Sequence, residues 1–191
     1  MKVSVSKPNG NKLDFTVEGI IVEFANTVRR YGMVCVPTFA VDSIVMYENT
    51  SSIFDEYLSH RIGLIPLVTP VKAAGNAEIV FVIDEVGPKV VFSSDMKTKD
   101  DDVKPAKDKI PVITLNEGQK LRLEAKARIG TGKEHAKFQS GLLSYGMDDD
   151  GKFSFKVESF YQMGPKDLML RACDVILDDI ADITKGLKKA K

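Results

Sequence analysis

Apolar residues along this chain recur either three and four apart or at every second position, and the two spacings mark out its elements. Ile21, Phe24, Val28 and Tyr31 repeat at helical spacing, which predicts a helix over 23–31 with Gly32 as its left-handed cap. A second helix is expected over 53–62. There Ser52 and Asp55 have capping-box spacing, Phe54, Tyr57, Leu58 and Ile62 share a face, and Gly63 and Pro66 close the segment. Each helix ends on a basic pair, Arg29-Arg30 in the first and His60-Arg61 in the second.

Alternation marks the strands. Residues 2–18 read as a hairpin: Val3 and Val5 alternate with Ser4 and Ser6, Pro8-Asn9-Gly10 supplies the turn, and Leu13, Phe15 and Val17 return. A β-rich run beginning near Pro37 lies between the two helices. From Val68 to Ile129 the pattern is all-β, with short apolar strands at 77–84 and 88–94 and a turn at Val86-Gly87-Pro88. Residues 95–109 are polar and of mixed charge, and read as a solvated loop. The clearest alternation lies at 119–129, with Leu121, Leu123, Ala125, Ala127 and Ile129 on one face and charged residues on the other. A glycine-rich loop at 130–139 follows, and Asp150-Gly151 turns the chain into a long alternating strand at 152–162.

Gly164-Pro165 opens a final helix expected to reach Lys185, with proline at the favoured first position and a length of roughly 30 Å. Met169, Cys173, Ile176, Ile180, Ile183 and Leu187 form its apolar line, widened by Leu170 and Leu177. That surface is broader than docking on a single sheet requires. The pattern alone leaves two explanations open: deep burial at home, or packing on a partner.

Composition narrows the function classes. The chain has 191 residues, enough for one large domain or two small ones. Lys+Arg and Asp+Glu both number 27, so the net charge is zero. That balance counts against autonomous DNA or RNA binding, where phosphate contacts dominate, but not against membership of a larger nucleic-acid machine. Cys35 and Cys173 stand far apart, which argues against a disulfide framework or structural zinc and suits a reducing cytoplasm. The N-terminus lacks an apolar targeting core and no run is long enough for a membrane span, so a soluble, cytoplasmic protein is expected.

Catalytic motifs fail one by one. In the glycine loop, Gly132-Lys133 is followed by Glu134 and Ala127 stands where a P-loop needs its first glycine. His135 occupies the last position of a dinucleotide fingerprint, and the loop leads into no clear helix. His60 and His135 are the only histidines and have no carboxylate or cysteine at ligand spacing. Asp148-Asp149-Asp150-Gly151 lacks the ligand alternation of a calcium loop. No catalytic or metal site is expected, and the unusual residues point to binding. A small enzyme using His60 or His135 as acid or base is the rival reading.

Taken together, FANTVRR, VPTFAVDSIVMYENTSSIFDEYLSHRIGLIPL, GTGKEHAKF and FSFKVES followed by LMLRACDVIL resemble the D-type subunits of archaeal DNA-directed RNA polymerase. That family is the counterpart of the bacterial α N-terminal domain and of the third-largest eukaryotic polymerase II subunit. The resemblance covers nearly the whole chain, in the family's order, and HRIGLIPL with G-x-G-x-x-HAKF is specific in combination.

The resemblance implies an α+β fold: a two-part dimerisation domain, an antiparallel sheet with two helices, built from 1–38 and 150–191. A β-rich domain at 39–149 would interrupt it. It further implies a non-catalytic assembly platform that forms a heterodimer with a small L-type subunit and docks small zinc-binding subunits and the large catalytic subunits. Polymerisation would occur on aspartates of a large subunit. Phe24, Val28, Tyr31, Met169, Cys173, Ile176, Ile180 and Ile183 would face the partner helices. Arg29 and Arg30 match the pair that engages the β subunit in the bacterial counterpart. His60, Arg61, Lys133, His135 and Lys137 would help dock the inserted domain. Two departures carry expectations of their own. Many archaeal members have a cysteine-bearing ferredoxin-like insert where this chain has only 95–109, so no iron–sulfur cluster or other cofactor is expected. The chain ends directly after the last helix, so no DNA-binding C-terminal domain and no direct promoter contact are expected.

Overall fold

A computed structural model of the chain describes residues 1–71, 73, 75 and 77–189. In chain order the elements are β1 (Lys2–Val5), β2 (Lys12–Glu18), α1 (Val22–Val34), β3 (Thr38–Asn49), α2 (Asp55–Gly63), β4 (Glu78–Val86) and β5 (Lys89–Phe92). Then come β6 (Lys97–Thr98), β7 (Pro111–Leu115), β8 (Lys120–Gly130), β9 (Gly141–Met147), β10 (Phe153–Ser159) and α3 (Pro165–Lys189). The fold class is α+β, as expected. The chain divides into two compact units, 1–36 with 131–134 and 139–191, and 37–130 with 135–138.

The first unit is an antiparallel sheet in the order β1-β2-β10-β9, carrying α1 and α3. Alternation along β2 and β10 places Leu13, Val17, Phe153, Phe155 and Val157 on one face, and these meet Ala25, Val28, Leu168, Met169 and Ala172 of the helices. Phe15 and Phe155 are directly opposite in register, and their rings stack at 4.7 Å. Such cross-strand pairs tie the N-terminal hairpin to a strand more than a hundred residues away. Because β9 pairs with β10 along its whole length, residues 141–147 belong to this sheet, whereas the expected boundary put them in the inserted domain. Residues 190 and 191 of the expected C-terminal stretch lie outside the described residues.

Gly32 is not a cap. Helix α1 runs on through it to Val34, and Cys35 ends the helix in right-handed geometry, its N–H donating to the Tyr31 carbonyl at 3.0 Å. The glycine instead lets α1 pack closely on β9: a Cβ there would lie 2.6 Å from Leu143 Cδ2, which would have to shift. Likewise α3 continues past Lys185 to Lys189, 25 residues or roughly 37 Å of helix.

The second unit is built on a sheet ordered β3-β8-β4-β6, with β5 and β7 as a separate ribbon. The alternating face of β8 supplies Leu121, Leu123, Ala125 and Ala127 to a core shared with Phe39, Val41, Phe81 and Ile83. Leu58 and Ile62 of α2 are fully buried in it. The expected capping box at Ser52 is displaced by competing local bonds. Asn49 Nδ2 donates to the Asp55 carboxylate at 2.7 Å and to the Ile53 carbonyl at 2.9 Å, and Ser51 Oγ accepts from the Ile53 N–H. The helix therefore starts at Asp55 with no side-chain cap. Nor do Phe54 and Tyr57 share the buried face; both point to solvent.

Residues 95–109 are more than a solvated loop. Met96 and Val103 are buried in the core, β6 pairs with β4, and Leu67 bridges to Pro105. Two apolar anchors among the charges suffice to bind the segment down, and Asp100 accepts from the N–H groups of Asp102 and Val103 to turn it.

Candidate functional site: an interaction surface in each unit

Within the first unit, the residues singled out in sequence gather at two places. Tyr31, at the end of α1, donates its hydroxyl to the Asp179 carboxylate of α3 at 2.7 Å. That bond holds the phenol above its ordinary pKa, because the carboxylate favours the protonated donor. Lys133 places its ammonium 5.7 Å from the Tyr31 ring centroid, and its N–H donates to the Val34 carbonyl at 3.1 Å. The loop can lie this close because residue 132 is glycine; a Cβ there would sit 2.9 Å from Val34 Cα. Arg29 turns along its own helix toward Asn26 and Met33, and Arg30 is exposed.

Helix α3 carries the other group. Its first turns are core: Leu168, Met169 and Ala172 are buried. Beyond them Ile176 is only partly covered, and Cys173, Leu170, Leu177, Ile180, Ile183 and Leu187 are exposed. Ile183 is 63% and Leu187 71% accessible. Of the residues expected at a partner surface, Val28 and Met169 are therefore spent on the unit's own core, while Phe24, Cys173, Ile180 and Ile183 are open. Though its surface is open, Cys173 is partly desolvated by its neighbours on the helix, which lifts the thiol above its ordinary pKa, with Asp174 adding to the shift.

In the second unit, His60, His135 and Lys137 converge with Asp42 and Ser59 on one cavity of about 230 Å³. Asp42 is its organising residue. Its carboxylate accepts from Lys137 Nζ at 2.7 Å and from Arg128 Nε at 2.9 Å, and these two bonds hold it below the usual carboxylate range. His135 Nδ1 accepts the Lys137 N–H at 3.1 Å, fixing the turn that ends in Phe138. The Phe138 ring is fully buried, with the Arg128 guanidinium 4.9 Å and the Lys137 ammonium 5.2 Å from its centroid. Arg61 lies outside this group, bonded through NH2 to the Pro111 carbonyl at 2.7 Å.

Asp42 escaped the sequence reading, yet it leaves a mark there. The pair Asp42-Ser43 breaks the alternation of β3, and the pairing with β8 shifts register between Val41 and Ser43. Chemically, an acid tied to two cations is a structural anchor rather than a free base. No cluster of three or more His, Cys, Asp or Glu placed to hold a metal occurs among the described residues. Neither is any described helix long and apolar enough to cross a membrane.

The family model for the RNA polymerase Rpb3/RpoA insert domain matches residues 43–147. The DNA-directed RNA polymerase subunit Rpo3 of Halobacterium salinarum is 31% identical, over 91% of this chain and 92% of that one. The chain belongs to the Rpo3 family. The Rpo3 subunits of Pyrococcus furiosus and Thermococcus kodakarensis are 40% and 42% identical over 76% and 75% of the chain. In both matches the chain spans 58% of the relative's length. The matched insert-domain segment takes in most of β3 and everything through β9. It therefore contains α2, the glycine loop and the cations bonded to Asp42, while Asp42 itself directly precedes it.

Proposed function

We propose that this chain is a non-catalytic assembly-platform subunit of a DNA-directed RNA polymerase in the archaeal cytoplasm. It forms a heterodimer with a small L-type subunit and offers further surfaces to the large catalytic subunits and to small zinc-binding subunits. The observation that carries the reading is the apolar ladder of α3, Leu170, Leu177, Ile180, Ile183 and Leu187, all exposed on one helix. Isolated exposed leucines are ordinary, but a continuous apolar line along a helix is the signature of a surface meant to be covered. Phe24 and Ile21 of α1 add to the uncovered apolar area of the unit. Each side chain of this size contributes up to about 1.5–3 kcal/mol when a partner covers it fully.

Other features of the chain support the same reading. The formal charge of zero disfavours direct promoter contact by this subunit. The Asp42 carboxylate is committed to Arg128 and Lys137, which leaves it poorly suited to acid–base chemistry. With Cys35 buried and Cys173 on α3, the chain offers no thiolate set for an iron–sulfur cluster, and we propose that it carries no cofactor.

Co-expression tests the proposal. With an L-type subunit the chain should elute as a stable 1:1 complex, and alone it should self-associate through α3. A well-behaved monomer indifferent to that subunit would overturn the reading.

A further inference from the structure

We infer that Tyr31 is a positioning residue for the dimer surface: through Asp179 it fixes the direction in which the unsupported end of α3 presents its apolar ladder. The inference rests on the heterodimer proposed above and concerns how its surface is held ready. Support under α3 stops early. Leu168, Met169 and Ala172 are buried in the core of the first unit and Ile176 is partly covered, but every residue from Leu177 to Lys189 is exposed. That stretch is roughly 20 Å of helix, and Leu177, Ile180, Ile183 and Leu187 of the ladder all lie on it.

Among the described residues a single hydrogen bond joins this stretch to the rest of the first unit, donated by the Tyr31 hydroxyl to Asp179 at 2.7 Å. Its other side-chain bonds stay within it: Thr184 donates to the Ile180 carbonyl and Lys185 to the Asp182 carboxylate. Asp179 stands about one turn beyond Ile176, so the bond carries the hold on α3 past the point where core contacts end. A helix of this length is marginal in water by itself, and without a tie at its root it frays and swings. Tyr31 is well placed to supply that tie, because its ring is gripped in turn. It belongs to α1, and Lys133 sets its ammonium 5.7 Å from the ring centroid while the Lys133 N–H donates to the Val34 carbonyl at 3.1 Å. A hydroxyl already aimed at α3 loses little rotamer freedom when the bond forms. Because the pair is exposed, the bond adds little to folding; its effect falls on the population of arm directions. A partner closing on a ladder already set has less to order than one meeting a loose arm, and it binds more tightly for that reason.

Distances between two spin labels on the full chain test the inference. One label sits at Ser154→Cys, exposed on β10, and the other at Lys185→Cys, near the end of α3. All samples carry Cys173→Ser, so that the exposed native thiol takes no label, and are diluted with unlabelled chain, so that self-association adds no distances. With Tyr31 in place the distribution should be narrow. Tyr31→Phe should broaden it, Asp179→Asn, which keeps an acceptor for the hydroxyl, should broaden it less, and an added L-type subunit should narrow it again in both. Titration with that subunit should show Tyr31→Phe binding about two- to fivefold more weakly, whereas a bond made equally in the free and bound chain would leave affinity unchanged. Equally narrow distributions with and without the Tyr31 hydroxyl, or equal affinities, would overturn the positioning role and leave the heterodimer standing. A narrow distribution in a chain that binds no L-type subunit would overturn the heterodimer and, with it, the role given to Tyr31 in assembly.

Discussion

Phe138 rests its ring edge on Gly130, so closely that a Cβ at position 130 would lie 2.7 Å from Cζ and 2.8 Å from both neighbouring ring carbons. Thr38, the register partner of Gly130, donates its hydroxyl to the Phe138 carbonyl at 2.7 Å, so ring and backbone are gripped from one strand pair. Gly130→Ala should therefore drive the ring out of a fully buried site and lower the stability of the second unit by about 1–3 kcal/mol. Urea unfolding with an unchanged m-value would show it, and Phe138→Ala should cost more, about 3–5 kcal/mol, because it also removes the buried ring.

Asp42→Asn leaves Lys137 and Arg128 without their shared carboxylate. The side chain of Asp42 is 38% exposed, so solvent screening limits the loss to about 1 kcal/mol or less at neutral pH. The sign with pH follows from the lowered Asp42 pKa. Its contribution is fully present above the unfolded carboxylate value of about 3.9 and disappears as pH falls through the lower folded value. Melting curves of the native chain and the variant should thus differ at pH 7 and still near pH 4, and converge only as pH falls through the lowered folded value of Asp42.

How far the sequence foretold these surfaces depends on whether a local pattern encodes them. The strands β8 and β2 alternate because one face is core and one is water, so period two was there to be read. The width of the apolar face on α3 was equally visible, but pattern could not divide it. Met169 and Ile183 look alike in sequence, and only the end of the sheet beneath α3 decides that the first is buried and the second is not. Phe54 and Tyr57 misled for the same reason: they share helical spacing with Leu58 and Ile62, yet the helix is turned so that the aromatics face out. Met96 and Val103 were outvoted by surrounding charges, since two anchors in fifteen residues carry no periodicity. Asp179 was invisible as the partner of Tyr31, because a contact across 148 residues leaves no local trace.

That Tyr31–Asp179 bond links α1 to the exposed half of α3. Tyr31→Phe should cost about 0.5–1 kcal/mol, at the low end for a hydrogen bond because the pair is exposed. Since the folded phenol has a raised pKa, the bond's contribution is complete below about pH 10 and is lost as pH rises through the folded value. Native chain and variant should therefore differ in melting temperature at pH 8 and approach each other only as pH rises beyond 10, through the raised folded value.

The apolar ladder of α3 separates what folds the chain from what assembles it. Replacing Ile180, Ile183 and Leu187 together by serine removes side chains that touch no core of the first unit, and the free chain should keep its melting temperature. Self-association should fall, and affinity for an L-type subunit should drop more than a hundredfold, since each lost side chain forfeits about 1.5–3 kcal/mol of burial. Leu168→Ala, near the start of the same helix and fully buried, should behave in the opposite way. It should lower the stability of the free chain by about 2–5 kcal/mol, and the complex should recover only as far as the partner refolds it. Calorimetry of both variants alone, set beside gel filtration with the small subunit, distinguishes the two halves of the helix. Equal loss of stability in both would mean that the ladder is core after all.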